Sequence, residues 1–335
     1  MNAADRFKSG DDMTMKTPSR RDVLALGLTA LCAPSFAQSD KTLRFVLPNA
    51  TGSGVDAITR AAQPALAKAL GHAVIVDNQP GAGGIVGLQA LARSAPDGFT
   101  LSVVSNNVVI LPSVYKSVPF DMPGDFTAIA ICGATPIVVV TNPSKVPAKD
   151  SKEFAALLKA KPDQFTYASG GNGTILHLAA EMYVEEAGGK ARHIPYKGVG
   201  PMVTDLIGGQ VDFATAALPS VQQHIKSGAL RAIGVGGAQR TPAAPEIPTN
   251  AEQGLPGYVV EAWFGVLGPK GMSATDIKRV HDAIVTAFAD PAVKEAMAKQ
   301  GNTINVSTSE FAQAYFRSEK DKYAKLVKKA GIELQ

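Results

Sequence analysis

The chain has 335 residues, 33 Lys+Arg against 29 Asp+Glu, and a formal net charge of +4, a balance too even for a surface that holds nucleic acid through its phosphates. Apolar residues make up 45% of it, enough for a sizeable core, and at roughly 150 residues per domain the length suits two domains. There are two cysteines, and after the leader described next only Cys132 remains, which excludes an internal disulfide.

Residues 1–37 read as an export leader. Ser19-Arg20-Arg21-Asp22-Val23-Leu24 is a twin-arginine pattern leading into the apolar run Val23 to Ala33, and Ser35-Phe36-Ala37 supplies small residues for cleavage after Ala37. Cys32, preceded by Thr29-Ala30-Leu31, departs from a lipid-attachment pattern at two positions. The expected mature chain carries 28 basic and 25 acidic residues and works in the periplasm. Beyond the leader no apolar run reaches the ~18 residues of a membrane span.

The first half then alternates short apolar runs with segments of helical period, the signature of parallel strands joined by helices. Strands are predicted at 42–47, 73–76 and 100–104, and helices at 54–70 and 84–92. Ile58, Ala62, Leu66 and Leu70 form the buried stripe of the first helix, and Pro64 within it predicts a kink. Between strand and helix lies Pro48-Asn49-Ala50-Thr51-Gly52-Ser53-Gly54-Val55-Asp56. A turn of this kind gathers unpaired N–H groups and the positive helix end at one point, which suits an anion. Asp56 is read chiefly as a favourable partner of that helix dipole, whose charge beside an anion requires that it either points away or fixes the loop. Pro80-Gly81-Ala82-Gly83-Gly84 is read as a turn and helix start supporting the same place. Cys132, in Ala128–Gly133, is read as a small buried apolar residue.

A second set opens at 136–140 and continues with strands at 165–168, 191–194, 211–214 and 230–235. Helices are predicted at 151–158, 174–186 and 201–207, and after a capping box at Ser220-Val221-Gln222-Gln223. Here the glycine turn is Ala168-Ser169-Gly170-Gly171-Asn172-Gly173-Thr174. His177 falls on the next helical turn, where a backbone-bonded structural role and a ligand contact are both open. Tyr196, past a strand end, is read as facing a cleft, whereas Lys197 is left open.

After the proline-rich stretch 240–256, a strand at 259–267 precedes helices only, one marked by Ile277, Val280, Ile284 and Phe288 and one capped at Ser307-Thr308-Ser309-Glu310. A lone strand with helices does not make a domain, so this segment is expected to return to the first set. The fold class is therefore α/β, two doubly wound lobes joined by a two-strand hinge. Lobe 1 is expected over 38–140 and 263–335, and lobe 2 over 141–262. Trp263, the only tryptophan, is read as core packing at the hinge. Two anion turns in separate lobes suggest closure on one small anion.

Catalytic patterns are absent. Ser53 and Ser169 lack the glycine two positions earlier that a nucleophile elbow needs, no His-Glu-x-x-His or Cys-x-x-Cys occurs, and Val86 breaks the dinucleotide fingerprint in 81–87. No cofactor or metal is expected.

A series of stretches resembles the substrate-binding receptors of tripartite tricarboxylate transporters, also called Bug receptors. They are Asp77-Asn78-Gln79-Pro80-Gly81-Ala82-Gly83-Gly84, Ala95-Pro96-Asp97-Gly98-Phe99-Thr100-Leu101, the 168–174 turn with His177-Leu178, Pro195-Tyr196-Lys197-Gly198, Asp205–Asp212, Pro248-Thr249, Gly254-Leu255-Pro256-Gly257 and Trp263-Phe264-Gly265. Each is weak alone, but their order and spacing are not. The resemblance implies a periplasmic binding protein of the Venus-flytrap type, not an enzyme, that takes a small di- or tricarboxylate-like acid and delivers it, as a monomer, to a membrane permease. A periplasmic hydrolase or transferase, or a sensor for a two-component kinase, is the alternative. It also implies that the acid is held by the two turns, giving as ligand residues Asn49, Ala50, Thr51, Gly52, Ser53, Ser169, Gly171, Asn172, Gly173, Thr174, His177 and Tyr196. The family's first turn usually carries an aromatic residue and prolines where Asn49, Ala50 and Thr51 stand, a substitution that favours extra ligand oxygens. The missing aspartate in Phe213–Ala217 argues against an amino acid.

Overall fold

A computed structural model describes residues 41–332 and Leu334, so the expected leader lies outside the described residues. Strands β1 (Leu43–Leu47), β2 (Val74–Asn78) and β3 (Thr100–Ser105) are parallel, with β1 in the centre. Helices α1 (Gly54–Leu70) and α2 (Ile85–Ala92) connect them, and α3 (Asn107–Val114) follows β3. The α1 stripe of Ile58, Ala62 and Leu66 is buried as its spacing requires, and α1 runs through Pro64 as one element.

The next strand, β4 (Phe126–Thr141), is 16 residues long, where the sequence suggested only a short run at 136–140. At roughly 3.3 Å per residue it is long enough to serve two groups of strands. Its first part pairs antiparallel with β9 (Glu261–Pro269), which pairs in turn with β3. Its last five residues pair with β7 (Phe213–Ala217) and, along 138–141, with β8 (Arg231–Val235). Parallel β5 (Phe165–Ser169) and β6 (Ala191–Pro195) continue from β7, giving the order β2-β1-β3-β9-β4-β7-β5-β6. A short β10 (Thr303–Ile304) adds to β4.

The second parallel set carries α4 (Ser151–Ala160), α5 (Ile175–Glu186), α6 (Val199–Ile207) and α7 (Leu218–Lys226). The chain closes with α8 (Ala274–Ala289), α9 (Pro291–Lys299) and α10 (Ser309–Lys329). Two local readings are corrected. Ser220 lies inside α7, which starts after Ala217 without a side-chain cap, because Pro219 at the second helical position already fixes the entry backbone. Thr308, not Ser307, caps α10 by accepting from the Phe311 N–H, since the Ser307 hydroxyl is drawn to the Ile131 N–H of β4.

The chain crosses between the two strand sets at β4 and at the start of β9, side by side where Pro136 pairs with Glu261. Two neighbouring crossings have a common axis, the geometry of a hinge. Helix α10 packs back on β4, and Trp263 of β9 sits edge-on against Tyr315 and Phe316 of that helix. Cys132 is fully buried, and burial pushes its thiol pKa up to about 12, which makes it an inert core residue.

Candidate functional site

The first turn is held by a charged strut on its outer side. Ser53 caps α1, its Oγ accepting from the Asp56 N–H at 3.3 Å. Asp56, buried, accepts from the Gly52 N–H and from Arg60 Nε, both at 2.9 Å. Arg60 also donates to Asn78, whose side-chain N–H holds the Asn49 carbonyl at 3.1 Å. Burial alone would raise the Asp56 pKa. The hydrogen bonds from Arg60, Gly52 and Asn78, with the Arg60 charge, pull it below the ordinary carboxylate range instead. Asp56 thus fixes the loop from behind and stays ionised. Close approach of α2 completes the brace, since any side chain at Gly87 would lie within 2.8 Å of the Pro48 backbone.

The second turn is braced from below. Ser169 Oγ accepts from the Gly171 N–H at 3.2 Å and meets His193 Nε2 at 2.7 Å. His177 Nδ1 accepts from the Gly173 N–H at 3.0 Å. Its ring stacks on His193 with centroids 3.8 Å apart, and Glu181 and Tyr167 close the cluster, the tyrosine hydroxyl donating to Glu181 Oε1. Thr174 caps α5, accepting from the His177 N–H at 3.3 Å. The first amide of that helix, on Ile175, donates to Oδ1 of Asn107, which comes from α3 on the other side, at 2.9 Å.

Between the turns lies a cavity of about 200 Å³. From the predicted set, Asn49, Ser53 and Thr174 line it, together with the adjoining Gly54, Val55, Gly170, Ile175 and Leu176. Ala50, Thr51, Gly52, Ser169, Gly171, Asn172, Gly173, His177 and Tyr196 do not. Gly52, Gly171 and Gly173 spend their amides on Asp56, Ser169 and His177, so these residues shape the turns. His177 is buried, and the Tyr196 hydroxyl donates to Asp205 at 2.8 Å. Lys197 is exposed and away from the cavity. Sequence reasoning missed Ser105, Asn107 and Thr135, and treated Trp263 as packing only, although with Ala262 and Phe264 it forms the cavity wall. Their sole signal was that Trp263-Phe264-Gly265 stands among the family-like stretches.

Among the described residues no charged side chain lines the cavity. The donors available without a protein acceptor, among the described residues, include the Gly54 and Val55 amides at the N-terminus of α1. Uncharged dipoles of this kind hold an anion at a smaller desolvation cost than a buried cation would, which suits binding with release. Among the described residues no His, Cys, Asp and Glu cluster is arranged for a metal, and no helix is long and apolar enough to cross a membrane.

The His193 ring makes stability depend on pH. Burial first, then the neighbouring His177, pushes its pKa down to about 4, with Glu181 opposing. Its unfolded value is about 6.5, so the unfolded chain takes up the proton first as pH falls. The contribution of neutral His193 is therefore complete above about pH 6.5 and is lost towards pH 4. The ring is partly exposed, which holds the effect to about 2 kcal/mol. Urea unfolding of wild type and His193→Gln at pH 7 and pH 4.5 checks this: the gap between them should narrow at the lower pH, and a constant gap contradicts it.

Residues 58–332 match the family described as the tripartite tricarboxylate transporter family receptor. Protein BugT of Bordetella pertussis is 34% identical over 92% of this chain and 96% of its own length. Among solved structures, a periplasmic transporter is 35% identical with a TM-score of 0.81, covering 89% of this chain and 100% of its own. The periplasmic binding protein BugD is 31% identical with a TM-score of 0.78, covering 88% and 99%. MatC of Rhodopseudomonas palustris with bound malate is 25% identical with a TM-score of 0.76, covering 85% and 98%. With the family match spanning most of its length and relatives aligned almost end to end, this chain belongs to the receptor family of the tripartite tricarboxylate transporters.

Proposed function

We propose that this receptor captures a small organic acid in the cavity between its two turns and hands it, unchanged, to the membrane subunits of its transporter. The observation that carries this reading is the meeting of the Asn49–Val55 and Gly170–Leu176 turns on one small cavity lined by no charged side chain. The malate seen in MatC is an acid of the same class. On this reading the lobes divide near 140/141 and 262/263, at the end of β4 and the start of β9, and closure about those strands encloses the acid. The chain is exported to the periplasm by residues 1–37, which are then cleaved off after Ala37, acts as a single copy, and has no catalytic role.

Binding without turnover is directly measurable. At about 100 times its dissociation constant, a ligand that binds only the folded chain adds about 2.7 kcal/mol of stability. Titrating the mature protein with a panel of carboxylates should give saturable rises in melting temperature, and mass spectrometry should recover the acid intact. Conversion of the acid, or no stabilisation by any carboxylate, would overturn the proposal.

A further inference from the structure

Asn107 joins the two sides of the cavity in a way that bears on which acids fit. It belongs to the first helical turn of α3, yet its Oδ1 accepts the Ile175 N–H across the cavity, at the N-terminus of α5. That is the place where the second turn would offer its most exposed positive dipole to a ligand anion. The side-chain carbonyl of the protein already occupies it. The Asn107 Nδ2 group, with no protein acceptor among the described residues, remains as a neutral donor on the cavity lining.

The two ends of the cavity are therefore unequal. At the first turn Ser53 and the free Gly54 and Val55 amides offer donors to a carboxylate. At the second, the neutral amides still unpaired, such as that of Leu176, are flanked by the Leu176, Val199 and Ala217 side chains, and no cation lines the wall to offset the desolvation of a second anionic group. Trp263 and Phe264 add flat apolar surface. The volume, about 200 Å³, is below the roughly 300–1,000 Å³ of a pocket for drug-sized ligands.

We infer that the ligand is a small monocarboxylate with an apolar body, aromatic or short aliphatic, and that Asn107 sets this preference by taking the place at α5 that a second carboxylate would need. The inference rests on the receptor reading above and departs from the oxygen-rich acid suggested by the first turn. The carboxylate lies on the α1 side, the apolar body against Trp263 and Phe264, and Asn107 ties α3 to α5 over it. Removing the Asn107 amide frees the Ile175 N–H and admits a second carboxylate.

Isothermal titration of the mature protein with benzoate, hexanoate, adipate and citrate tests it. Wild type should bind benzoate or hexanoate at least tenfold more tightly than adipate or citrate. In Asn107→Ala the ratio should move at least tenfold towards adipate, and in Asn107→Ser, which keeps a small polar group, by less. Tighter binding of adipate or citrate by wild type overturns the inference while leaving the receptor reading intact, as does an unchanged ratio in both variants. Should none of the four acids bind, this inference falls, whereas the receptor reading is overturned only if no carboxylate of the wider melting panel stabilises the protein. The wild-type comparison stands even if a variant fails to fold.

Discussion

Replacing Trp263 by alanine is expected to remove about 3–5 kcal/mol of stability, the range for truncating a buried indole. The side chain is 4% exposed, edge-on to both Tyr315 and Phe316, and its Nε1–H donates to Glu319 Oε2 at 2.8 Å. Glu319 is itself buried, with Lys322 at 3.2 Å as its other partner. Alanine therefore leaves a void beside the crossing strands and a carboxylate that has lost its neutral donor. Trp263→Phe is the milder change, because it keeps a six-membered ring in the wall while removing the donor together with the five-membered ring. It should cost about 1–3 kcal/mol, the penalty of an unmet buried hydrogen bond. Urea unfolding with linear extrapolation measures both. A loss below 1 kcal/mol for the alanine variant would mean that the α10–β9 contact contributes little to the fold. The same wall bounds the cavity, so ligand-induced stabilisation should fall with it.

Gly173→Ala is expected to cost about 2–4 kcal/mol and to abolish the melting shift given by ligand. Gly173 has φ of +68°, a left-handed conformation that penalises a side chain by about 1–2 kcal/mol. A Cβ there would also lie 2.7–2.9 Å from three atoms of Val114, at the end of α3, adding the overpacking cost of about 1–3 kcal/mol. Relief of the clash must shift the turn, and with it the Gly173 N–H bonded to His177 and the cap at Thr174. Gly200 in α6 provides the control. Its conformation is not left-handed and an added Cβ meets nothing within 4 Å, so Gly200→Ala should be neutral or stabilising by about 0.5 kcal/mol. If the two variants melted alike, the strain argument at Gly173 would be wrong.

The two turns were legible because their determinants are local. Glycines, a hydroxyl residue at Ser53 or Thr174, and an apolar run on each side specify a strand, a turn and a capped helix within some ten residues. The inner contacts of those turns were less so. His177 sits one helical turn beyond Gly173, but nothing along the chain says that its ring stacks on His193 rather than facing a ligand. Asp56 was read chiefly as a helix-dipole partner, with pointing away and fixing the loop both left open, and its acceptance of the Gly52 N–H decides for the loop. Ser105 at the end of β3, Asn107 in the first turn of α3 and Thr135 within β4 carried no signal at all, because each is an ordinary polar residue whose neighbours are set by distant pairing.

What the sequence by itself determined was the α/β alternation, the place of each glycine turn at a helix start, the return of the last strand to the first set, and the kinship carried by its ordered short stretches. These rest on periodicity, capping and turn chemistry, which act over fewer than about four helical turns. Only the tertiary structure decided that β4 is one 16-residue strand shared by both sets, that β9 lies between β3 and β4, and that Trp263, Thr135 and Asn107 consequently face one cavity. Strand order and cross-cavity contacts are settled by burial and pairing between segments more than a hundred residues apart, as Ser105 and Phe264 are, and no local pattern encodes that choice.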